Sequence, residues 1–438
     1  MTRGRFTAAA AALALGAAPL LGAPSATAAA ADPSTVYRVA GAAPRAAELV
    51  ARGVDLLERR TGDDLYVLGG DVERVAALGL TATPQGPAAA PVTTRSAAAG
   101  TYYGGYRTVA GQYAHLDSVA AAHPDLAAVV TYGQSWLKTQ GRGGNDLRAI
   151  CLTKITGADC SRSAGGKPKF FLMAQVHSRE ISTGEVAYRW VDHLVDGYGT
   201  DPAVTALMDS TEMWVVPVAN PDGVDIVASG GDDPILQRKN ANDSHGDCGT
   251  GSTGVDLNRN ADSHWGYSGT SDDPCSEVFL GPAPDSEVEN SALESLFSDL
   301  WADRRADGDA TAAPADTTGM FITLHADAAQ VIFPWGHDAA VHTGNDAALR
   351  AFGAEMGDVL GYESGQAGEI LYDSAGGTED WVYDKLGVAA YTIEVGDNEG
   401  RGCGGFLPPY SCQDSYYFPK LLPALVLAAQ KAAAPYAS

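Results

Sequence analysis

Basic side chains are scarce in this 438-residue chain: 29 Lys and Arg stand against 54 Asp and Glu, for a formal net charge of −25. That balance excludes nucleic acid and anionic membrane surfaces as main partners, because both reward clustered cations. Solubility is the simplest use of the acidic surface. No two cysteines have C-x-x-C spacing, which argues against a thiolate zinc site or a redox motif. Beyond the first thirty residues no apolar stretch reaches membrane-spanning length; 421–429 is short and contains Pro423. No internal repeat is visible.

What is present begins with an export signal over residues 1–31. Arg3 and Arg5 precede the apolar run 6–21, and small residues from Ala26 to Ala31 supply a cleavage site. A secreted, extracellular location follows, and it suits six cysteines that fall into near-neighbour pairs: Cys151/Cys160, Cys248/Cys275 and Cys403/Cys412. Six cysteines allow 15 connectivities, so these local disulfides are an expectation from proximity alone.

Residues 32–98 hold extended stretches at 36–40 and 64–68, alternating with helical patterns at 43–58 and 71–78. A linker-like segment with Pro84, Pro87, Pro91 and Arg95 follows. Across 99–438, apolar runs at 169–176, 213–219, 320–324, 331–333 and 388–395 read as buried strands. The segment 182–196 reads as an amphipathic helix, and a last helix is expected after Pro423. Strands interleaved with helices predict one α/β domain with a mixed, mostly parallel central sheet flanked by helices, preceded by a small α+β unit.

Three places carry chemistry. His177-Ser178-Arg179-Glu180 lies between a strand and a helix, where an imidazole and a carboxylate three residues apart can meet one cation. The motif is weak alone, because chance supplies an H-x-x-E often in a chain with 9 histidines. His325 ends the run 320–324, at the strand edge where α/β sheets bind ligands. Glu394 sits inside Tyr391-Thr-Ile-Glu-Val, where a carboxylate is costly without a partner. For each, packing or a salt bridge is the bland alternative.

Together with their neighbours, these residues resemble the zinc metallocarboxypeptidases related to pancreatic carboxypeptidases A and B, over about residues 102–425. The resemblance implies that His177, Glu180 and His325 hold one Zn²⁺ and that Glu394 is the catalytic base. Arg238, in Leu-Gln-Arg-Lys, matches the oxyanion arginine. Asn258 and Arg259, in Gly-Val-Asp-Leu-Asn-Arg-Asn, together with Tyr372, match the clamp on the substrate's terminal carboxylate; Arg179 matches a contact at the neighbouring substrate position. Glu379, two residues before Trp381, stands where the family sets specificity, which implies release of C-terminal Lys or Arg, with a hydrophobic preference also open. His264 is read as a loop histidine rather than a further ligand. After His325 the chain reads Ala326-Asp327-Ala328-Ala329, where familiar relatives carry Ser-Tyr-Ser, so subsite preference is expected to depart from theirs.

By the same resemblance, residues 32–98 are a prosegment with its linker, released by an activating protease near Arg95, and 99–438 are the catalytic domain of a monomeric exopeptidase acting on peptide and protein C-termini. Two other readings are a zinc amidase or cell-wall peptide hydrolase on the same fold, and an inactive binding module. The clamp residues favour a free α-carboxylate substrate, and an inactive module should lack a ligand or the base.

Overall fold

The computed structural model describes residues 1–2, 31–32, 34–88 and 98–437. The expected export signal and the cleavage site near Arg95 lie outside the described residues.

The N-terminal unit is a four-stranded antiparallel sheet: β1 (Thr35–Val39), β2 (Leu56–Thr61), β3 (Asp64–Leu68) and β4 (Ala82–Pro87), in the order β2-β3-β1-β4. Two short helices, Ala46–Ala51 and Val72–Ala77, complete it. The helical pattern expected over 43–58 is thus broken in its second half. The Gly53 N–H bonds the Val50 carbonyl and Gly53 takes φ +72°, a left-handed conformation that stops the helix and releases 56–61 as a strand. The strand β4 also occupies part of the stretch read as linker; Pro84 and Pro87 are tolerated because β4 is an edge strand.

After a short hairpin, β5 (Thr101–Tyr102) and β6 (Tyr106–Arg107), comes the main sheet. Its strands are β7 (Ala127–Gln134), β8 (Asp146–Leu152), β9 (Lys169–Ala174), β10 (Glu212–Val216), β11 (Met320–Ala326), β12 (Gln330–Ile332), β13 (Glu363–Gly365) and β14 (Ala389–Val395). They run in the order β13-β12-β14-β11-β9-β10-β8-β7, and the central block β14-β11-β9-β10 is parallel. This is the mixed, mostly parallel sheet expected.

Every residue of β9, β10, β11 and β14 is buried, which requires cover on both faces. The helices Ile181–Gly197 and Phe418–Lys431 pack on each other and on β9 and β11. A second pair, Val288–Leu300 and Thr378–Leu386, packs on β7, β11 and β14. Large side chains such as Trp190, Trp214, Phe170 and Phe171 fill the layers, each worth roughly 2–3 kcal/mol of transfer free energy. The last helix begins at Phe418, ahead of the expected start, and carries Pro423 inside it; burial of Leu421, Ala424, Leu425 and Ala428 outweighs the one backbone bond proline removes.

The three local disulfides are present, Cys151–Cys160, Cys248–Cys275 and Cys403–Cys412. The second brackets the segment that carries Asn258 and Arg259. Among the described residues, no helix is long and apolar enough to cross a membrane.

Candidate metal centre and active site

The parallel register of the central strands assembles the site. β11 and β14 pair so that His325 lies directly beside Glu394, and neighbours in a parallel ladder project to the same face. β9 ends at Ala174 on the same edge, and the loop after it delivers His177, Arg179 and Glu180 before the helix Ile181–Gly197 starts. Two bonds fix that loop. The Asn220 amide donates to the Val176 carbonyl at 3.2 Å, and the Ser178 hydroxyl donates to the Gln237 carbonyl at 2.8 Å, tying it to the segment bearing Arg238.

His177 Nδ1 lies 2.7 Å from Glu180 Oε1 and 3.1 Å from His325 Nδ1; His325 Nδ1 lies 3.3 Å from Glu180 Oε2. All three side chains are buried. A tetrahedral zinc with bonds of ~2.0–2.1 Å separates its ligands by about 3.3 Å, so the spacing and the two-imidazole, one-carboxylate donor set fit that ion. The two rings cross at 76°, which lets their lone pairs converge.

A second cluster, His264, Asp309 and His337, also gathers potential ligands. There the imidazoles stack at 3.5 Å and 9°. Parallel rings aim their lone pairs side by side rather than at one point. Burial and the neighbouring His264 push His337 down to about 4, and His264 bonds Asp309 at 2.9 Å. The loop reading of His264 fits this arrangement.

Around the first cluster the electrostatics are strong. Burial works against charge on Glu180, but His177 and His325 pull its pKa far below the usual carboxylate value. Burial pushes Glu394 well above it, helped by the like charges of Glu180 and Glu58. Glu394 Oε2 is buried without a protein partner.

Asp256 links three of the expected groups, a role the sequence did not disclose. Its Oδ1 lies 3.2 Å from His177 Nε2 and accepts the Asn258 N–H at 2.9 Å, and its Oδ2 accepts Arg238 Nε–H at 3.0 Å. Such an outer carboxylate orients an imidazole ligand and fixes its tautomer. Burial would raise its pKa, yet Arg238 and His177 hold it well below the ordinary value.

Arg259 donates to the Asn258 and Gly269 carbonyls and, at 3.4 Å, to the Tyr372 hydroxyl. Gly376, at φ +75°, lets the following loop approach the Arg259 backbone, since a Cβ there would sit 2.4 Å from the Arg259 carbonyl oxygen. The Thr378 N–H donates to the Asn258 side chain at 3.0 Å, joining the clamp to the helix that carries Glu379. Asn258, Arg259, Tyr372, Glu379 and Glu394 share one cavity with His177 and His325, and the Glu379 Oε2 in it has no protein partner. All the expected site residues except Arg179, Glu180 and Arg238 line that cavity; Glu180 is bonded to its wall, Arg238 pairs with Glu58 of that wall, and Arg179 lines a different cavity.

About 30 Å³ of this cavity is free, and the N-terminal unit forms part of its wall. Glu58 of β2 lines it and pairs with Arg238, both buried. Asp55 accepts from Arg179 at 3.0 Å, and the Leu56 carbonyl accepts from the Tyr372 hydroxyl at 3.4 Å. Nothing in the sequence marked Asp55 or Glu58: their partners lie 124 and 180 residues away.

Residues 112–416 match the model of a family described as zinc carboxypeptidase. Carboxypeptidase A2 of Mus musculus is 30% identical over 314 residues, covering 70% of this chain and 66% of the relative, so the chain spans just under two thirds of that protein's length. Carboxypeptidase B of Astacus astacus is 30% identical over 309 residues, 68% of this chain and 87% of the relative. The crystal structure of carboxypeptidase A from Helicoverpa armigera overlays with a TM-score of 0.69 at 20% identity, over 92% of this chain and 98% of that one, a likeness of fold. Thrombin activatable fibrinolysis inhibitor overlays with a TM-score of 0.66 at 20% identity, over 91% and 98%. With well over half its length matched by the family model, on a sheet of the same fold, the chain belongs to the zinc carboxypeptidase family.

Proposed function

We propose that this chain is a secreted zinc carboxypeptidase that removes residues from the C-termini of peptides and proteins, favouring Lys and Arg, and that it is made as a precursor. The observation that carries the reading is the convergence of His177, Glu180 and His325 next to Glu394, in a cavity walled by Asn258, Arg259 and Tyr372.

His177, Glu180 and His325 would hold the zinc, which when bound would supply the Lewis acid that peptide hydrolysis needs. Glu394 takes the proton of the attacking water and returns it to the leaving amine. Arg238, held by Asp256, faces the developing oxyanion with a fixed positive charge. Arg259, Asn258 and Tyr372 hold the terminal carboxylate, where a planar guanidinium matches two oxygens at once. Arg179 contacts the residue before the scissile bond. The buried Glu379 Oε2, which has no protein partner, supports a cationic side chain as the released residue.

Residues 32–98 act as the prosegment. Its Glu58 and Asp55 hold Arg238 and Arg179, the cations a substrate would use, and the remaining cavity is too small for an amino acid. A protease acting near Arg95 would free the site. Three disulfides and the N-terminal apolar signal support secretion.

The test compares matched peptides with free and amidated C-termini after limited proteolysis of the full chain, with and without a chelator. The expected result is stepwise release of C-terminal residues from the free peptide only, lost with the chelator and restored by zinc. Equal rates on both peptides would refute the exopeptidase reading in favour of an amidase.

A further inference from the structure

The aim of Glu394 depends on how its strand ends. Its Oε2 is buried without a protein partner, so the backbone of β14 has to place that oxygen. Inside the sheet β14 is held from both sides, by β11 and by β12. The pairing with β12 stops at Glu394, opposite Gln330, and the pairing with β11 stops at Val395, beside Ala326. Gly396 is therefore the first residue past the ladder, two positions from the base.

Tyr362 takes the place of the missing strand. Its hydroxyl donates to the Gly396 carbonyl at 2.7 Å and accepts the Gly396 N–H at 3.2 Å. Those are the two bonds that a facing residue exchanges in an antiparallel ladder. The chain brings the ring there through a turn. The helix Asp346–Leu360 ends at the left-handed Gly361, the Tyr362 N–H donates to the Gly357 carbonyl at 2.8 Å, and β13 starts at Glu363. The side chain is buried, and burial pushes the phenol's pKa up, so the hydroxyl keeps the proton it donates. Lys420, paired with Glu399 at 2.8 Å, lies over the ring at 5.2 Å. A Cβ on Gly396 would sit 2.6 Å from the Ala329 nitrogen, so only glycine lets the strand end fit between that backbone and the phenol.

We propose that Tyr362 is a positioning residue for the reaction: by holding both backbone groups of Gly396, it fixes the direction in which Glu394 presents its carboxylate to the attacking water. Tyr362 lies outside the cavity that holds Glu394, so it acts through the strand and not by touching substrate. The inference rests on the carboxypeptidase reading above, with Glu394 as the base.

The experiment compares Tyr362→Phe, which removes the hydroxyl and keeps the ring, with Tyr436→Phe. Tyr436 is also buried, and its hydroxyl donates to the Gly387 carbonyl at 2.8 Å, two residues before β14 begins. The control thus deletes the same kind of bond at the far end of the same strand. Each full chain is activated by limited proteolysis, and kcat, KM, bound zinc and Tm are measured with one N-blocked peptide ending in Lys. Both variants should lose a similar amount of Tm. Only Tyr362→Phe should lose kcat, by about tenfold or more, since an error of ~1 Å in a reacting group can cost about a hundredfold. Its KM should stay within about twofold and its zinc content unchanged, the pattern of an interaction that matters in the transition state alone. A kcat within about twofold of wild type, equal losses in the two variants, or a loss carried by KM or by zinc overturns the role of Tyr362. If Tyr362→Phe does not fold, amide exchange in the wild-type protein decides: protection of the Gly396 N–H like that of Ile393 upholds the clamp, and exchange at the rate of an exposed loop overturns it. A wild-type chain that releases no Lys refutes the carboxypeptidase reading itself, a result distinct from an active wild type and an unaffected variant.

Discussion

If residues 32–98 act as the proposed prosegment, neutralising Glu58 should loosen their hold on the site. Glu58 and Arg238 are both buried, and removing one partner of a buried pair costs about 3–5 kcal/mol when the other charge is left alone. Arg238 is not left alone, because Asp256 stays 3.0 Å from it. The lost charge-assisted hydrogen bond, about 1.5–3 kcal/mol, is then the better measure. Relief of the repulsion between Glu58 and Glu394 trims that further. Glu58→Gln should therefore weaken binding of the cleaved prosegment by about tenfold to a hundredfold, at about 1.4 kcal/mol per decade. The assay is inhibition of the activated enzyme by the separated prosegment, together with residual hydrolysis by the uncleaved chain, which should rise. Glu73→Gln, at an exposed site in the same unit, serves as a control and should change neither. Unchanged or tighter inhibition by the Glu58→Gln prosegment would refute the proposed inhibitory contact of Glu58 on Arg238.

Glu394→Gln should lower turnover by at least about 10²–10⁴ while metal analysis still finds one zinc per chain; loss of zinc instead would make Glu394 a ligand-shell residue. Glu379→Ile should move the preferred C-terminal residue from Arg and Lys to Leu and Phe, and an unmoved release profile would remove Glu379 from the specificity pocket. Asp71, buried in the prosegment beside Asp55, is raised from 3.8 to about 6, first by burial and then by Asp55. An acid raised on folding binds its proton more tightly in the folded state, so its charge costs stability above about pH 6, by at most about 3 kcal/mol, and that cost fades as pH falls toward 4. Asp71→Asn should thus raise the Tm of the uncleaved chain more at pH 8 than at pH 4.5; an equal change at both would contradict the shift.

The groups legible in the sequence were those whose meaning is local. His177 and Glu180 are three residues apart at a strand end, and His325 and Glu394 stand in apolar runs that could only be buried strands. Tertiary structure then needed only to bring three parallel strand ends together, which the register of β11 and β14 does residue for residue. What stayed hidden depends on distant partners. Asp256 lay in plain view beside Asn258, but its link to His177 spans 79 residues. Strand β2 looked like a continuation of the helix before it, because Leu56, Leu57 and Glu58 are good helix formers; the left-handed Gly53 and pairing with β3 overrule that preference. With β2 misread, Asp55 and Glu58 could not be seen to face the site arginines.

The N-terminal unit does more than lay two carboxylates on the site. Its apolar residues Val39, Leu49, Leu56 and Val67 belong to one continuous packed cluster with Val278, Ile332, Leu371 and Tyr372 of the main domain. Cutting the chain between the two breaks none of these contacts, so a nick by itself should leave the pieces stuck together. On the proposed precursor reading, the switch from silent to working enzyme is then timed by departure or digestion of the cut piece, and concentrated material should wake more slowly than dilute material.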